Sequence, residues 1–521
     1  MMKSLLAAAM LLAAQRETTT VEVVQVPVYV SASGAAVSGL TKGDFELFVN
    51  GKKQNIDYFD VVDFAALPKA AAAPASSSST AAPTPPPDPR QRRLYLLLFD
   101  CVYSSHEGIV RAQHAAERYL AAAGESDLFA VGTYTEQRGV ELVVPFTRDR
   151  VVARHAVKTL AARSAGDPAR LVLEYLEVAE GMPADAVATD NDAGQADPPL
   201  VHAAAAELSL DPQRRLITNE IDSLSQLADR LATIEGNRHV VLLSASFRSS
   251  LLHGVSAANT LDLFGSASSP RRGSYFKMSA PDATHSLKEM IRHFVRAGVF
   301  LDAIDIAGVR TSYGASHDSE GLSTLARDTG GDVVLNHNDL AQAMQHLADV
   351  QRVVYTLGFH AHDTGRKENS ITVKVRNTPP GASVTYRPGY SSDPPKSTRL
   401  DGLRLADILE NDIPQAGVTL SASASASGDK TTVDVELPAR ELLAFGNGGR
   451  TSAEVLMYVY AGTRAVAFHA ARLDVNPRVD SSQPLHLVHD FALPPGNYTA
   501  KVLLRVEGSD ALGFAKAVVS R

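Results

Sequence analysis

Residues 92–105 read RRLYLLLFDCVYSS. Six consecutive apolar side chains, Leu94 to Phe99, lie between two arginines and the carboxylate of Asp100. A short apolar run without polar alternation predicts a strand covered on both faces, as at the centre of a parallel sheet. Open α/β sheets bind ligands beyond the carboxyl ends of their strands. Asp100, with Ser104 and Ser105 just after it, therefore stands where a ligand or a metal ion would be held.

The pattern that follows supports that sheet. EGIVRAQHAAERYLAAAG places Ile109, Ala112, Ala116 and Tyr119/Leu120 on one helical face. DLFAVGTYTE and VELVVPFT read as two strands forming a hairpin-like edge, and RDRVVARHAVKTLAAR as a helix. A polar, acidic loop leads to the long helix RRLITNEIDSLSQLADRLATIEG and to a second buried strand, RHVVLLSAS. Helix, strand, helix, strand and helix then follow through NDLAQAMQHLADVQRV. Strands alternating with helices of this length predict a mostly parallel, doubly wound α/β sheet over residues 93–352.

The flanks are β-like. In residues 17–65, VEVVQVPVYVSAS alternates, and Asn50-Gly51 is a hairpin signal between two alternating runs. Residues 66–92 are rich in Ala, Ser and Pro, a semi-extended linker. Residues 353–392 hold three strand signals. Neither flank alone has enough strands to bury two faces, so the two are expected to pair, with the α/β domain inserted between them. In residues 393–521 a short helix, GLRLADILEN, precedes six short strands at regular spacing, which predicts a C-terminal β-sandwich.

A chain of 521 residues is too long for one core. The net charge is −8, and the pairs Arg92-Arg93, Arg214-Arg215 and Arg271-Arg272 are isolated, so no basic face for nucleic acid is expected. MMKSLLAAAMLLAAQ has one early lysine and a short apolar core; residues 1–16 read as a signal peptide cleaved near Ala14. No later run is long enough to span a membrane, and the expectation is a secreted or periplasmic protein. The single cysteine, Cys101, can form no internal disulfide and reads as a small buried residue.

VEVVQVPVYVSASGAAVSGLTKGDFELFVNGKKQNIDYF, at 21–59, resembles the N-terminal signature of the bacterial von Willebrand factor A-related proteins abundant in Acidobacteria. LSTLARDTGGDVVLNHNDLAQAMQHLADVQRVVYTLGF and ITVKVRNTPPGASVTYRPGY resemble the end of the same region, so the resemblance covers residues 20–391. It implies an exported protein with a von Willebrand A-like domain and no assigned reaction. It also implies a metal-ion-dependent adhesion site: Asp-x-Ser-x-Ser after the first strand, a threonine from a second loop and an aspartate from a third. Asp100 and Ser104 match that pattern; Val102 replaces the middle serine, and Ala245 stands where the third-loop aspartate would be. Thr159 and Ser164 are the candidates for the threonine. Mg²⁺ demands near-octahedral oxygen ligands, so the site reads as degenerate and is expected to bind Mg²⁺ weakly or not at all.

Other motifs are weaker. Asp190, Asp192 and Asp197 lack the glycine and glutamate spacing of a calcium loop, and read as a flexible acidic segment. His106-Glu107 does not extend to a zincin motif, and His360 with His362 has no third ligand. There is no G-x-S-x-G elbow and no P-loop. The function expected is that of an envelope protein-interaction or scaffold protein, not an enzyme, binding an unidentified protein through a rim of Asp100, Ser104, Ser105, Ser244 and Ser246. The alternative is a hydrolase-like enzyme or enzyme subunit with its site near residues 164–215.

Overall fold

Strand β1 (Val23–Ala32) is followed by β2 (Ala35–Ala36), β3 (Phe45–Val49), β4 (Lys52–Gln54) and β5 (Tyr58–Asp63). The alternation in β1 sends Val24, Val26, Val28 and Val30 into one apolar core, while Tyr29 packs with Phe300 on the opposite side. Asn50 and Gly51 turn β3 into β4 with φ of 50° and 77°, left-handed values that this residue pair tolerates. The computed structural model describes residues 23–67, 91–124, 127–160, 198–245, 281–309, 320–361, 367–392, 402–446, 449–476 and 483–521. Residues 1–16, expected to be a leader, the acidic run at 190–197, Ser164, Ser246, His362 and most of the segment expected to be a linker lie outside these residues.

The central part of the chain runs β6 (Arg93–Asp100), α1 (His106–Ala122), β7 (Asp127–Thr135), β8 (Gly139–Thr147), α2 (Arg150–Thr159), α3 (Pro198–Leu231), β9 (Asn237–Ser244), α4 (Pro281–Ala297), β10 (Val299–Asp305), α5 (Glu320–Arg327), β11 (Val333–Val334) and α6 (Leu340–Val350). The strands form one sheet in the order β11-β10-β9-β6-β7-β8. All neighbours are parallel except β8, which returns antiparallel along β7 at the edge. Leu94, Leu96 and Leu98 enter a core with α3, α4 and α5; Tyr95, Leu97 and Phe99 enter another with α1, α2 and α6. Because β6 is buried on both sides, a polar residue anywhere between Leu94 and Phe99 would face apolar packing. Helix α3 begins well before Arg214, where the sequence pattern starts it. Ala203 to Ala206 favour helix, and Pro198-Pro199 occupy the first turn, where a proline forfeits no intrahelical bond.

After α6 come β12 (Val353–His360), β13 (Glu368–Val375), β14 (Ser383–Tyr386) and β15 (Gly389–Ser391). They pair with the N-terminal strands: β12 lies antiparallel between β1 and β5, and β13 between β3 and β15. The two resulting sheets share a core that includes Val26, Leu47, Tyr355 and Val373.

A buried polar relay joins these sheets to the central one. Asp302 on β10 accepts from Gln351 Nε2 at 3.0 Å and from the Asp332 backbone N–H at 2.8 Å, and lies 2.8 Å from His239 Nδ1. With Asp302 as acceptor, His239 carries its proton on Nδ1, and Nε2 accepts from the Tyr29 hydroxyl at 2.9 Å. Burial raises the Tyr29 hydroxyl pKa well above its usual range, which keeps it a donor. The Thr329-Gly330-Gly331 turn sets this corner. Gly330 has a φ of 86°, and a side chain on Gly331 would overlap the Leu301 carbonyl, so only glycine lets the chain pass.

The C-terminal part comprises α7 (Gly402–Asn411), β16 (Ser421–Ser427), β17 (Lys430–Leu437), α8 (Ala439–Phe445), β18 (Thr451–Ala461), β19 (Arg464–Val475), β20 (Leu485–Ala492), β21 (Asn497–Val506) and β22 (Leu512–Ser520). Sheets β16-β17-β20 and β19-β18-β21-β22 share a core with Val433, Val455, Met457 and Val502. Strand β22 escapes the sequence pattern because it is an edge: Val518 is 70% exposed, so its apolar residues do not alternate cleanly.

Helix α7 ties this part to the central sheet. Leu403 enters the core on the α3 side of that sheet, and Ile408 and Leu409 pack on Leu503 and Leu512. Asp407 forms a two-pronged pair with Arg92, the residue immediately before β6, with both side chains buried. Removing one partner strands the other charge away from water. Asp407→Ala is expected to lower unfolding stability by about 3–5 kcal/mol in denaturant titration followed by circular dichroism.

Candidate functional site

The carboxyl ends of β6 and β9 are neighbours at the centre of the sheet. Here the strand order reverses, since the chain crosses from β6 to β7 on one side and from β9 to β10 on the other. Such a reversal opens a crevice at the strand ends. Asp100 sits at its base with no solvent exposure. One carboxylate oxygen accepts from the backbone N–H groups of Val102 at 2.8 Å and Tyr103 at 3.1 Å; the other accepts from the Ser244 hydroxyl at 2.5 Å. Ser104 Oγ accepts from the Ala245 N–H at 3.1 Å. Ser105 is the N-cap of α1 and accepts from the Gly108 N–H at 3.1 Å. The structure thus brings Asp100, Ser104, Ser105 and Ser244 to one place. Of these, only Ser105 is exposed; Asp100, Ser104 and Ser244 are buried and hold the loops together from within.

Val102 is buried with Tyr134 and Leu216 in a small apolar cluster. Leu216 belongs to α3, and its carbonyl accepts from the Tyr134 hydroxyl at 3.3 Å. This stretch of α3 therefore packs onto the β6–α1 loop. One turn further along, Glu220 is 1% exposed, and neither carboxylate oxygen has a hydrogen-bond partner among the described residues. Burial, and then the charge of Asp100, raise the Glu220 pKa well above the usual glutamate range, so it holds a proton more tightly than an exposed glutamate does. Tyr103, between them, is also raised by burial and by the charges of Glu220 and Asp100.

Glu220 is the residue that motif reading misses. Its signal is present, because Leu216, Ile217, Ile221 and Leu224 form the buried stripe of α3 and Glu220 interrupts it. A carboxylate on the apolar face of a helix is either paired or functional. Of the two candidates for a second-loop threonine ligand, Thr159 donates to the Ala156 carbonyl of its own helix at 3.0 Å, and Ser164 lies outside the described residues.

The residues present do not fit a magnesium site. Both Asp100 oxygens already accept protein hydrogen bonds, Val102 is packed in an apolar cluster and Ala245 supplies no oxygen from its side chain. Among the described residues, no three His, Cys, Asp or Glu side chains converge where they could hold an ion. Cys101 is buried, and His360 pairs with Asp57 at 2.7 Å on the far side of the chain's β1–β12 sheet system.

No family model matches this chain, and no curated protein matches it. Among solved structures it aligns with the BatB protein of Bacteroides thetaiotaomicron at 11% identity and a TM-score of 0.23, over 50% of this chain and 98% of that one. It aligns with the von Willebrand A domain of SpRpn10 at 9% identity and a TM-score of 0.18, over 47% and 87%. The SpaC pilus adhesin of Lactobacillus rhamnosus GG aligns at 7% identity and a TM-score of 0.27, over 82% and 56%. Superpositions this loose carry no weight for function.

Two outcomes follow from the geometry. Asp100→Ala leaves two backbone donors and a serine hydroxyl unmet in a buried place, and is expected to destabilise by about 2–4 kcal/mol in urea titration. Glu220 binds a proton more tightly folded than unfolded, so its burial costs stability as the pH rises above the ordinary glutamate range. Glu220→Gln is therefore expected to be more stable than the parent near about pH 7, and the gain is expected to vanish towards about pH 4.

Proposed function

We propose that this is an exported envelope protein that binds another protein, and that it acts as a scaffold, not as an enzyme. In this reading residues 1–16 are a secretory leader. A doubly wound von Willebrand A-like domain at 93–352 is inserted between β segments 17–65 and 353–392, and 393–521 form a β-sandwich. The adhesion site is degenerate, and partner contact needs no metal ion. The observation that carries this is the use made of Asp100, whose carboxylate is spent on three protein donors. No helix of the described residues is long and apolar enough to cross a membrane.

The contact surface is the mouth of the central sheet, around Asp100, Ser104, Ser105 and Ser244; Ser246, the remaining member of the expected rim, lies outside the described residues. The buried members shape the loops; Ser105, His106 and Glu107 face outward. The enzyme alternative places a site near 164–215, most of which lies outside the described residues.

Capture of partners from the native envelope, with and without EDTA, tests the reading. The bound protein is expected to be retained in EDTA, and to fall at least about fivefold with His106→Ala/Glu107→Ala at unchanged melting temperature. Release by EDTA, or calorimetric Mg²⁺ binding that Asp100→Ala abolishes, would overturn it.

A further inference from the structure

A cavity of about 230 Å³ opens where β1, β14 and α6 meet β11, and its lining shares no residue with the mouth described above. Its walls include Ser31 near the end of β1, the exposed Ser33 of the β1–β2 turn, the exposed Ser383 at the start of β14, and His346 and Leu347 of α6. Asp332 lines it from the segment after the Gly330-Gly331 turn. Its backbone N–H is anchored on Asp302 at 2.8 Å, which fixes the residue at the cavity wall.

The cavity's polar groups have not been used by the fold. Among the described residues, the Asp332 carboxylate makes no hydrogen bond or ion pair, and neither do the hydroxyls of Ser31, Ser33 and Ser383. Burial and the charge of Asp302 raise the Asp332 pKa to about 6, and His239, behind Asp302, opposes the shift. Near neutral pH this half-buried group is mostly an ionised carboxylate, with no cation of the described residues paired to it. Such a charge costs free energy until an opposite charge reaches it. A neutral polyol would leave that cost in place, and an anion would add to it. The volume is below that of a drug-sized pocket and suits the tip of a side chain.

We propose that this cavity receives a primary ammonium group, free or at the end of a lysine side chain, with Asp332 as counter-ion and the hydroxyls of Ser31, Ser33 and Ser383 as acceptors. An ammonium carries three donors and no acceptor, which matches a lining of carboxylate and hydroxyl oxygens. The site stands apart from the proposed partner surface at the mouth of the sheet.

Saturation-transfer NMR and calorimetry on the full chain test this with n-butylammonium, with Nα-acetyl-lysine methylamide and with the neutral analogue n-butanol. Butylammonium is expected to bind and butanol not. Tighter binding of the lysine derivative would assign the natural ligand to a side chain, and equal binding to a free amine. Asp332→Asn, which keeps the shape and the backbone anchor, is expected to weaken binding at least about tenfold. Wild-type affinity is expected to be flat above about pH 6 and to fall towards tenfold per pH unit below it. His346 lines the same cavity, so the profile is repeated in His346→Gln and is expected to persist. Should Asp332→Asn fail to fold, Ser383→Phe, which fills the cavity, carries the same expectation of lost binding. Equal binding of butanol, or undiminished binding by Asp332→Asn or by a folded Ser383→Phe, would overturn the proposal.

Discussion

The carboxylate of Asp302 is the point on which the two halves of the fold converge. It lies on a central strand with no exposure, where an unpaired charge would be prohibitive. His239 of β9, Gln351 at the end of α6 and the backbone of Asp332 all meet it. Through His239 it reaches Tyr29 of β1, so a side chain from the N-terminal strands completes the hydrogen bonding of the central sheet. His239 also stacks on Phe300, with ring centroids 5.1 Å apart. The tyrosine, histidine and aspartate resemble a catalytic relay in outline. All three are buried, so here the same hydrogen-bond chemistry fixes the orientation of one unit on another.

The same element builds two different surfaces. At the carboxyl end of the sheet, Asp100 turns inward and locks the β6–α1 loop and the end of β9, while Val102 and Leu216 seal α3 against that loop. At the other junction, the turn that follows α5 leaves Asp332 beside a cavity with its charge unspent. Burial raises the pKa of both Glu220 and Asp332, and in each case a neighbouring carboxylate, Asp100 or Asp302, adds to the shift.

The sequence by itself determined the buried strands, most helices and the hairpin at Asn50-Gly51. Leu94–Phe99 could be read as doubly covered because an unbroken apolar run has no other use in water. Tertiary structure alone decided the rest. Val518 is exposed on a strand at the edge of its sheet, a matter of which strand is paired on one side only. Asp100, Ser104 and Ser244 read as a rim, yet they are buried, since whether a hydroxyl faces solvent depends on what packs over the loop. Asp302, Asp332 and Glu220 are ordinary acids in the chain, given their roles by residues up to hundreds of positions away. Periodicity reports which face of an element is buried, but only packing brings distant donors to a carboxylate or leaves it without one.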